Sequence, residues 1–282
     1  WRRTTLAEYR KPQPAWETVL DLDALGAAEK ENWVGKGAVC LGPAERKCML
    51  SLSRGGADAS VQREFDTQTK RFIDAKDSGF TLPEAKSSVE WIDDDTLFIG
   101  TDVGPGSLTD SGYPRVIKRW KRGTPLAAAA TVFEAEAKDV AAFVSVDRTP
   151  GFLRTVVGRS TDFYNTKSWL LGKDGKLTAI DYPSDAGFSF WRERVLIELK
   201  SDWKLEGRTW PRGSLLTADA AAYLKGERKF TALFTPTATR SLASFTTTHD
   251  RVLLSILDNV AGRVQEWKAD GSAWTKREVQ AP

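Results

Sequence analysis

The sequence predicts an all-β fold, a β-propeller of four-stranded antiparallel blades, and three observations carry that reading. Short runs rich in β-branched and aromatic residues recur between Gly, Pro, Asp and Asn punctuation, the mark of many antiparallel strands. Strand pairs return at intervals of roughly 40–57 residues along the 282-residue chain, which fits a propeller blade better than a solenoid repeat. Helix-forming segments are few and short.

In chain order, the leading strands of the repeat are read at residues 48–53, 96–101, 153–158, 195–200 and 251–257. Their partners are read at 61–66, 115–120, 168–172, 213–218 and 262–268. This gives about five complete blades in a single propeller domain or fragment spanning residues 1–282. Residues 1–6 and 17–22 read as two strands of an incomplete blade, and 274–279 closes the last complete one. Each blade of a propeller packs on two neighbours, so an open run of blades is expected to self-associate through its exposed end faces. The best helix is 219–224, with Asp219 as the N-cap, three alanines after it and Gly226 at the stop. Residues 21–29 form a weaker second candidate.

Composition sets outer bounds. With 41% apolar, 10% aromatic and 28% charged residues, the chain can fill a core and keep a soluble surface. No stretch approaches the roughly 20 apolar residues of a membrane span, and no basic segment leads into an apolar one. No membrane association is expected. A net charge of +3 spread along the chain does not call for a nucleic-acid partner, despite a pI near 8.8. The chain opens on Trp1, in what reads as mid-strand, which suggests a piece of a longer protein.

Cys40 and Cys48 end consecutive strand-like runs; buried free thiols are the favoured reading and a cross-strand pair the alternative. Free thiols suit a reducing compartment, hence a cytoplasmic expectation, or a periplasmic one if a signal peptide precedes. With His249 the sole histidine and no second cysteine pair, no zinc site is expected.

Candidate chemistry is sparse. A hydrolase nucleophile needs the sharp G-x-S-x-G turn, and both near misses, Ser160 in Gly158–Asp162 and Ser189 in Gly187–Trp191, lack the second glycine. They read as ordinary β-region serines. His249, the only possible imidazole base, stands before an apolar strand and reads as an exposed turn residue. Asp93, Asp94 and Asp95 offer oxygen ligands or paired carboxylates in principle, and read as a solvated hairpin turn. Lys118, Arg119, Lys121 and Arg122 surround Trp120, a mixture that single strands of nucleic acid or acidic peptides can use; a solvated strand end is favoured. Residues 104–107 are glycine-rich, but the Lys-Ser/Thr ending of a phosphate loop is missing. Some of the eleven tryptophans are expected to line a cavity. No catalytic, cofactor-binding or metal-binding residue is assigned.

Several segments together resemble the propeller of bacterial prolyl oligopeptidase-like serine peptidases. They are residues 1–6, 50–58, 63–66, 82–87, 112–115, 146–152, 162–166 and 257–260, in one order over nearly the whole chain. In that family a seven-bladed propeller caps an α/β-hydrolase domain that holds a Ser-His-Asp triad. The resemblance therefore implies a non-catalytic domain that gates short proline-containing peptides, with the hydrolase domain and such peptides as partners and no cofactor. It also implies that the first strand of blade one, the last blade and the hydrolase domain lie outside this chain. The alternative is a free-standing propeller that binds a peptide or protein. A propeller lyase or hydrolase with a central metal is disfavoured, since no ligand cluster stands out.

Overall fold

In the computed structural model, which describes residues 1–271 and 273–280, five antiparallel sheets of at least four strands succeed one another along the chain. Sheet I contains Trp33–Cys40, Lys47–Arg54 and Ser60–Asp66, with the fourth position divided between Arg71–Phe72 and Thr81–Ala85. Sheet II contains Ser88–Asp93, Thr96–Gly100, Val116–Lys121 and Ala130–Glu134. Sheet III contains Ala141–Asp147, Arg154–Ser160, Thr166–Leu171 and Leu177–Ile180. Sheet IV contains Gly187–Trp191, Arg194–Glu198, Leu215–Asp219 and Thr231–Phe234, and sheet V Arg240–Thr247, Val252–Asp258, Ala261–Asp270 and Ala273–Val279. In each sheet the strands lie in sequence order, a meander.

All five strand pairs read from the sequence are neighbours in a sheet, but they are the second and third strands, not the leading ones. The reason is burial. Central strands have partners on both sides and packed faces, so Arg194–Glu198 buries four of its five residues, whereas the leading strand Trp33–Cys40 buries none. The ends differ more. The expected strands at 1–6 and 17–22 shrink to a two-residue pairing of Arg2–Arg3 with Glu17–Thr18. Thr5 caps a short helix, Leu6–Tyr9, by accepting from the Glu8 N–H at 3.2 Å, and Pro12 and Pro14 interrupt any return strand. The two expected helices are present as Leu22–Glu29, capped by Asp21, and Ala220–Leu224, capped by Asp219.

The cysteine reading is overturned: Cys40 and Cys48 form a disulfide. They sit directly opposite each other on adjoining antiparallel strands, where opposed Cβ atoms come within bridging distance. The step from free thiols to a reducing compartment falls with them.

The chain divides into two compact units. One holds residues 1–148, 154–163 and 167–178, the other 149–153, 164–166 and 179–282. In the first, alternation along single strands splits the core into layers. Leu97 and Ile99 of sheet II join Met49, Leu82, Trp91 and Trp120 against sheet I, while Phe98 turns to Ile117, Phe133, Ala142 and Val157 against sheet III. The other face of sheet I, with Cys48, Leu50, Leu52 and Phe65, is covered by Val19, Leu20, Leu22 and Leu25 of the N-terminal segment. In the second unit, Leu196, Leu215 and Phe234 of sheet IV meet Val252, Leu254 and Ile256 of sheet V. Indole donors tie neighbouring sheets within each unit, Trp91 to the Val39 carbonyl at 2.8 Å and Trp191 to the Thr248 carbonyl at 2.9 Å.

Candidate functional site

A meander sends all its second-to-third connections to one end of the sheets' own strands, and here those connections carry unburied apolar groups. Among the described residues, thirteen large apolar side chains stand exposed, and six of them, Val103, Tyr113, Phe163, Tyr164, Leu257 and Val260, lie on or beside such connections. The first-to-second connections at the opposite end carry one, Leu153. Phe163 and Tyr164 are the extreme case, adjacent in sequence and 90% and 83% exposed. Scattered surface apolar residues need no explanation; a concentration on one class of loop does.

Two of these loops, those of sheets I and II, are held by hydrogen bonds. In sheet I the chain turns at Gly55 and Gly56, both at positive φ, and the Gly55 N–H donates to the Asn32 carbonyl at 2.8 Å. In sheet II the long connection from Thr101 to Arg115 is closed on itself. Ser107 Oγ donates to the Gly104 carbonyl at 2.6 Å, the Thr109 N–H donates to the Tyr113 carbonyl at 2.8 Å, and Arg115 Nε donates to the Gly106 carbonyl at 2.6 Å. Lys86, arriving from the fourth strand of sheet I, joins the two loops: its ammonium lies 4.2 Å over the Tyr113 ring and 4.0 Å from Asp58. Beside it Arg54 donates to Glu31 at 2.6 Å and to Glu84 at 2.7 Å, which holds the Glu31 carboxyl below the ordinary carboxylate range with help from the Asn32 N–H. In the first unit the loops of sheets I and II thus hold Tyr113 in place beside charged groups, a mixture that suits an association site.

The residues singled out from the sequence fall elsewhere. Ser160 ends its strand opposite Ala141, and Ser189 sits mid-strand opposite Leu196; neither stands at a strand-to-helix turn. His249 is exposed in the turn before Val252–Asp258, its carbonyl accepting from Arg192. Asp93, Asp94 and Asp95 form the exposed turn between the first two strands of sheet II, where Asp93 accepts from the Asp95 N–H at 2.9 Å. Trp120 is buried and donates to the Thr124 carbonyl, Lys118 caps the Ala129 carbonyl, and Arg122 is spent on Glu64. Arg119 and Lys121 are exposed, as expected of a solvated strand end, so the basic and aromatic mixture is divided among core, ion pairing and solvent. Residues 104–107 lie inside the long sheet II connection. Among the described residues no group of three or more His, Cys, Asp or Glu side chains is placed to hold a metal ion.

Tyr113, Phe163, Tyr164 and Val260 were not marked as a site by their sequence. The available signal was their position: Phe163 and Tyr164 stand between Asp162 and Asn165, and Val260 follows Asn259, apolar groups inside turn chemistry with no strand face to bury them. Of the segments that carry the family resemblance, 112–115, 162–166 and 257–260 fall on or overlap these same connections, and 50–58 runs from the second strand of sheet I into its connection.

The comparisons agree with the fold. The family model of the prolyl oligopeptidase N-terminal β-propeller domain matches residues 1–282. An uncharacterised peptidase of Sinorhizobium fredii is 36% identical over 297 residues, covering 100% of this chain and 40% of that protein. One from Rickettsia prowazekii is 31% identical, covering 98% and 40%. The post-proline cleaving enzyme from Rickettsia typhi superposes with a TM-score of 0.92 at 29% identity, over 100% of this chain and 43% of that one. Oligopeptidase B from Leishmania major shares the fold, with a TM-score of 0.68 at 11% identity. The chain therefore spans about two fifths of the length of these curated relatives. Five meandering sheets of four or more strands and a match along the whole chain place it in the prolyl oligopeptidase family, as an N-terminal β-propeller domain.

Proposed function

We propose that this chain is the non-catalytic propeller of a prolyl oligopeptidase-like serine peptidase, docking a hydrolase domain and limiting its substrates to short proline-containing peptides. The observation that carries the reading is the gathering of exposed aromatic and aliphatic side chains on the second-to-third connections, with Phe163 and Tyr164 at its extreme. Burying one such side chain is worth about 1.5–3 kcal/mol, and Tyr is among the residues that dominate interface energies. The relatives support the identity of the partner: they are peptidases more than twice as long as this chain, and one cleaves after proline. A domain fixed over a hydrolase site admits only chains that pass it, which excludes folded proteins.

Two measurements test this. The chain alone, incubated with a proline-containing chromogenic peptide, is expected to give no turnover; turnover abolished by a serine-directed inhibitor contradicts the reading. Mixed with the separately produced hydrolase portion of the parent, it is expected to bind, and Phe163→Ser/Tyr164→Ser to weaken that binding at least tenfold. Equal binding by the variant contradicts it.

A further inference from the structure

Six of the thirteen exposed large apolar side chains belong to the second-to-third connections, and four of the others, Trp1, Leu6, Tyr9 and Trp16, crowd into the start of the chain. This segment sits at the other end of sheet I. Arg3 donates to the Thr67 carbonyl at 3.1 Å and Lys70 lies 2.7 Å from Glu17, and residues 67–70 link the third and fourth strands of that sheet. The hydrolase-docking reading therefore leaves these four groups without a role.

Their exposure is built into a closed loop. Thr4 Oγ1 donates to the Ala15 carbonyl at 2.6 Å, which ties residues 4–15 into a ring. Within it Thr5 caps Leu6–Tyr9, and the Glu8 carboxylate accepts from Lys11 and, at 3.4 Å, from the Ala15 N–H. Pro12 and Pro14 fix φ along the return. The single helical turn buries nothing and so holds Leu6 and Tyr9 outward, 65% and 62% exposed. Tyr9 and Trp16 meet edge to face, with centroids 6.2 Å apart and planes at 80°, and Arg2 lies 5.6 Å over the Trp16 ring. The two rings thus form the sides of an aromatic corner.

Charge states what that corner complements. Up to Thr18 the segment carries Arg2, Arg3, Arg10 and Lys11 against only Glu8 and Glu17. Glu17 is engaged by Arg3 and Lys70, and Glu8 by Lys11. Arg2 and Arg10 have no ion-pair partner among the described residues. An aromatic corner between two unpaired guanidinium groups matches an apolar group flanked by carboxylates. Proline in an extended chain suits it, because aromatic surfaces take up such chains and their backbone is ordered before binding. A second copy does not fit, since a two-fold contact of the patch with itself sets Arg2 and Arg10 against like charges.

We propose that residues 4–16, with Arg2, bind an extended acidic segment of a partner polypeptide, its proline on Tyr9 and Trp16 and its carboxylates on Arg2 and Arg10. The surface is separate from the docking end, so either reading can fail alone. Titration calorimetry of the 282-residue chain with acetyl-Glu-Glu-Pro-Pro-Glu-Glu-amide tests it. Binding is expected, and raising NaCl from about 0.05 to 0.5 M should weaken it severalfold. Arg2→Gln/Arg10→Gln should weaken it at least about fivefold, and Tyr9→Ala about tenfold, with circular dichroism and melting as in the parent chain because these side chains are exposed. The same peptide with lysine in place of glutamate should not bind. The proposal is overturned if nothing binds up to about 10 mM, a limit of very weak affinity, if the lysine peptide binds as tightly, or if either folded variant binds as the parent does. Sedimentation of the chain with phosphatidylserine vesicles, without peptide binding, would assign the patch to a lipid surface and overturn it too.

Discussion

Removing Arg122 should be the most damaging single change in the first unit. Glu64, on the third strand of sheet I, is fully buried, and Arg122 of sheet II grips both its oxygens at 2.7 and 2.9 Å. The Phe80 N–H donates to the same carboxylate at 2.8 Å, and the guanidinium lies 4.4 Å over the Phe80 ring while donating to the Asp94 carbonyl. Arg122→Met strands a buried carboxylate, which costs about 3–5 kcal/mol. At 2–4 °C per kcal/mol for a unit of this size, that is a fall of roughly 6–20 °C in Tm. Glu64→Gln on the same background removes the stranded charge while keeping an acceptor for Phe80, so the double variant should regain about 2 kcal/mol. Urea unfolding of the four members of the cycle measures each value. A loss below about 1 kcal/mol in the single variant, or a double variant worse than Arg122→Met, would refute the view of this pair as the clamp between sheets I and II.

Three further outcomes follow from local geometry. A thiol titration of the denatured, unreduced chain should find no free cysteine, and Cys40→Ser/Cys48→Ser should lose about 2–3 kcal/mol, the value for so short a closed loop. Val260 occupies the left-handed region at φ 71° in a two-residue turn and is 89% exposed, so Val260→Gly should raise stability by about 1 kcal/mol in denaturant unfolding. Glu17 is held down to about 2 by hydrogen bonds from Arg3 and Lys70. Its folded value lies below its ordinary 4.5, so its contribution is present above that pH and lost as pH falls toward about 2. The Tm difference between the parent chain and Glu17→Gln should be small, as for an exposed pair, and should vanish by about pH 2. A difference that persists there counts against the ion pairs.

What the sequence disclosed follows burial. Strands such as Val252–Asp258, apolar at alternate or successive positions with partners on both sides, were legible, and so was the blade period they set. Leading strands such as Arg240–Thr247, without a buried residue, lack that signature. The helix Leu6–Tyr9 buries nothing and is too short to show a period. The Cys40–Cys48 bond depends on a hairpin register set by the connection between the strands, which residue spacing alone does not determine. The exposed apolar loop residues were the least legible feature, because a turn residue's exposure is a property of the fold, and Tyr113 and Phe163 are seen to share one class of loop only once the meander is known.

The central claim, that the second-to-third connections govern access to a hydrolase domain, is tested most directly in the full-length parent by peptide-length selectivity. The quantity is the ratio of kcat/KM for a short proline-containing peptide to that for the same cleavage site within a long unstructured chain. Phe163→Ser/Tyr164→Ser should lower that ratio about tenfold or more, as the two anchors stop holding the propeller in place. An unchanged ratio, with the variant folded as the parent is, contradicts the account.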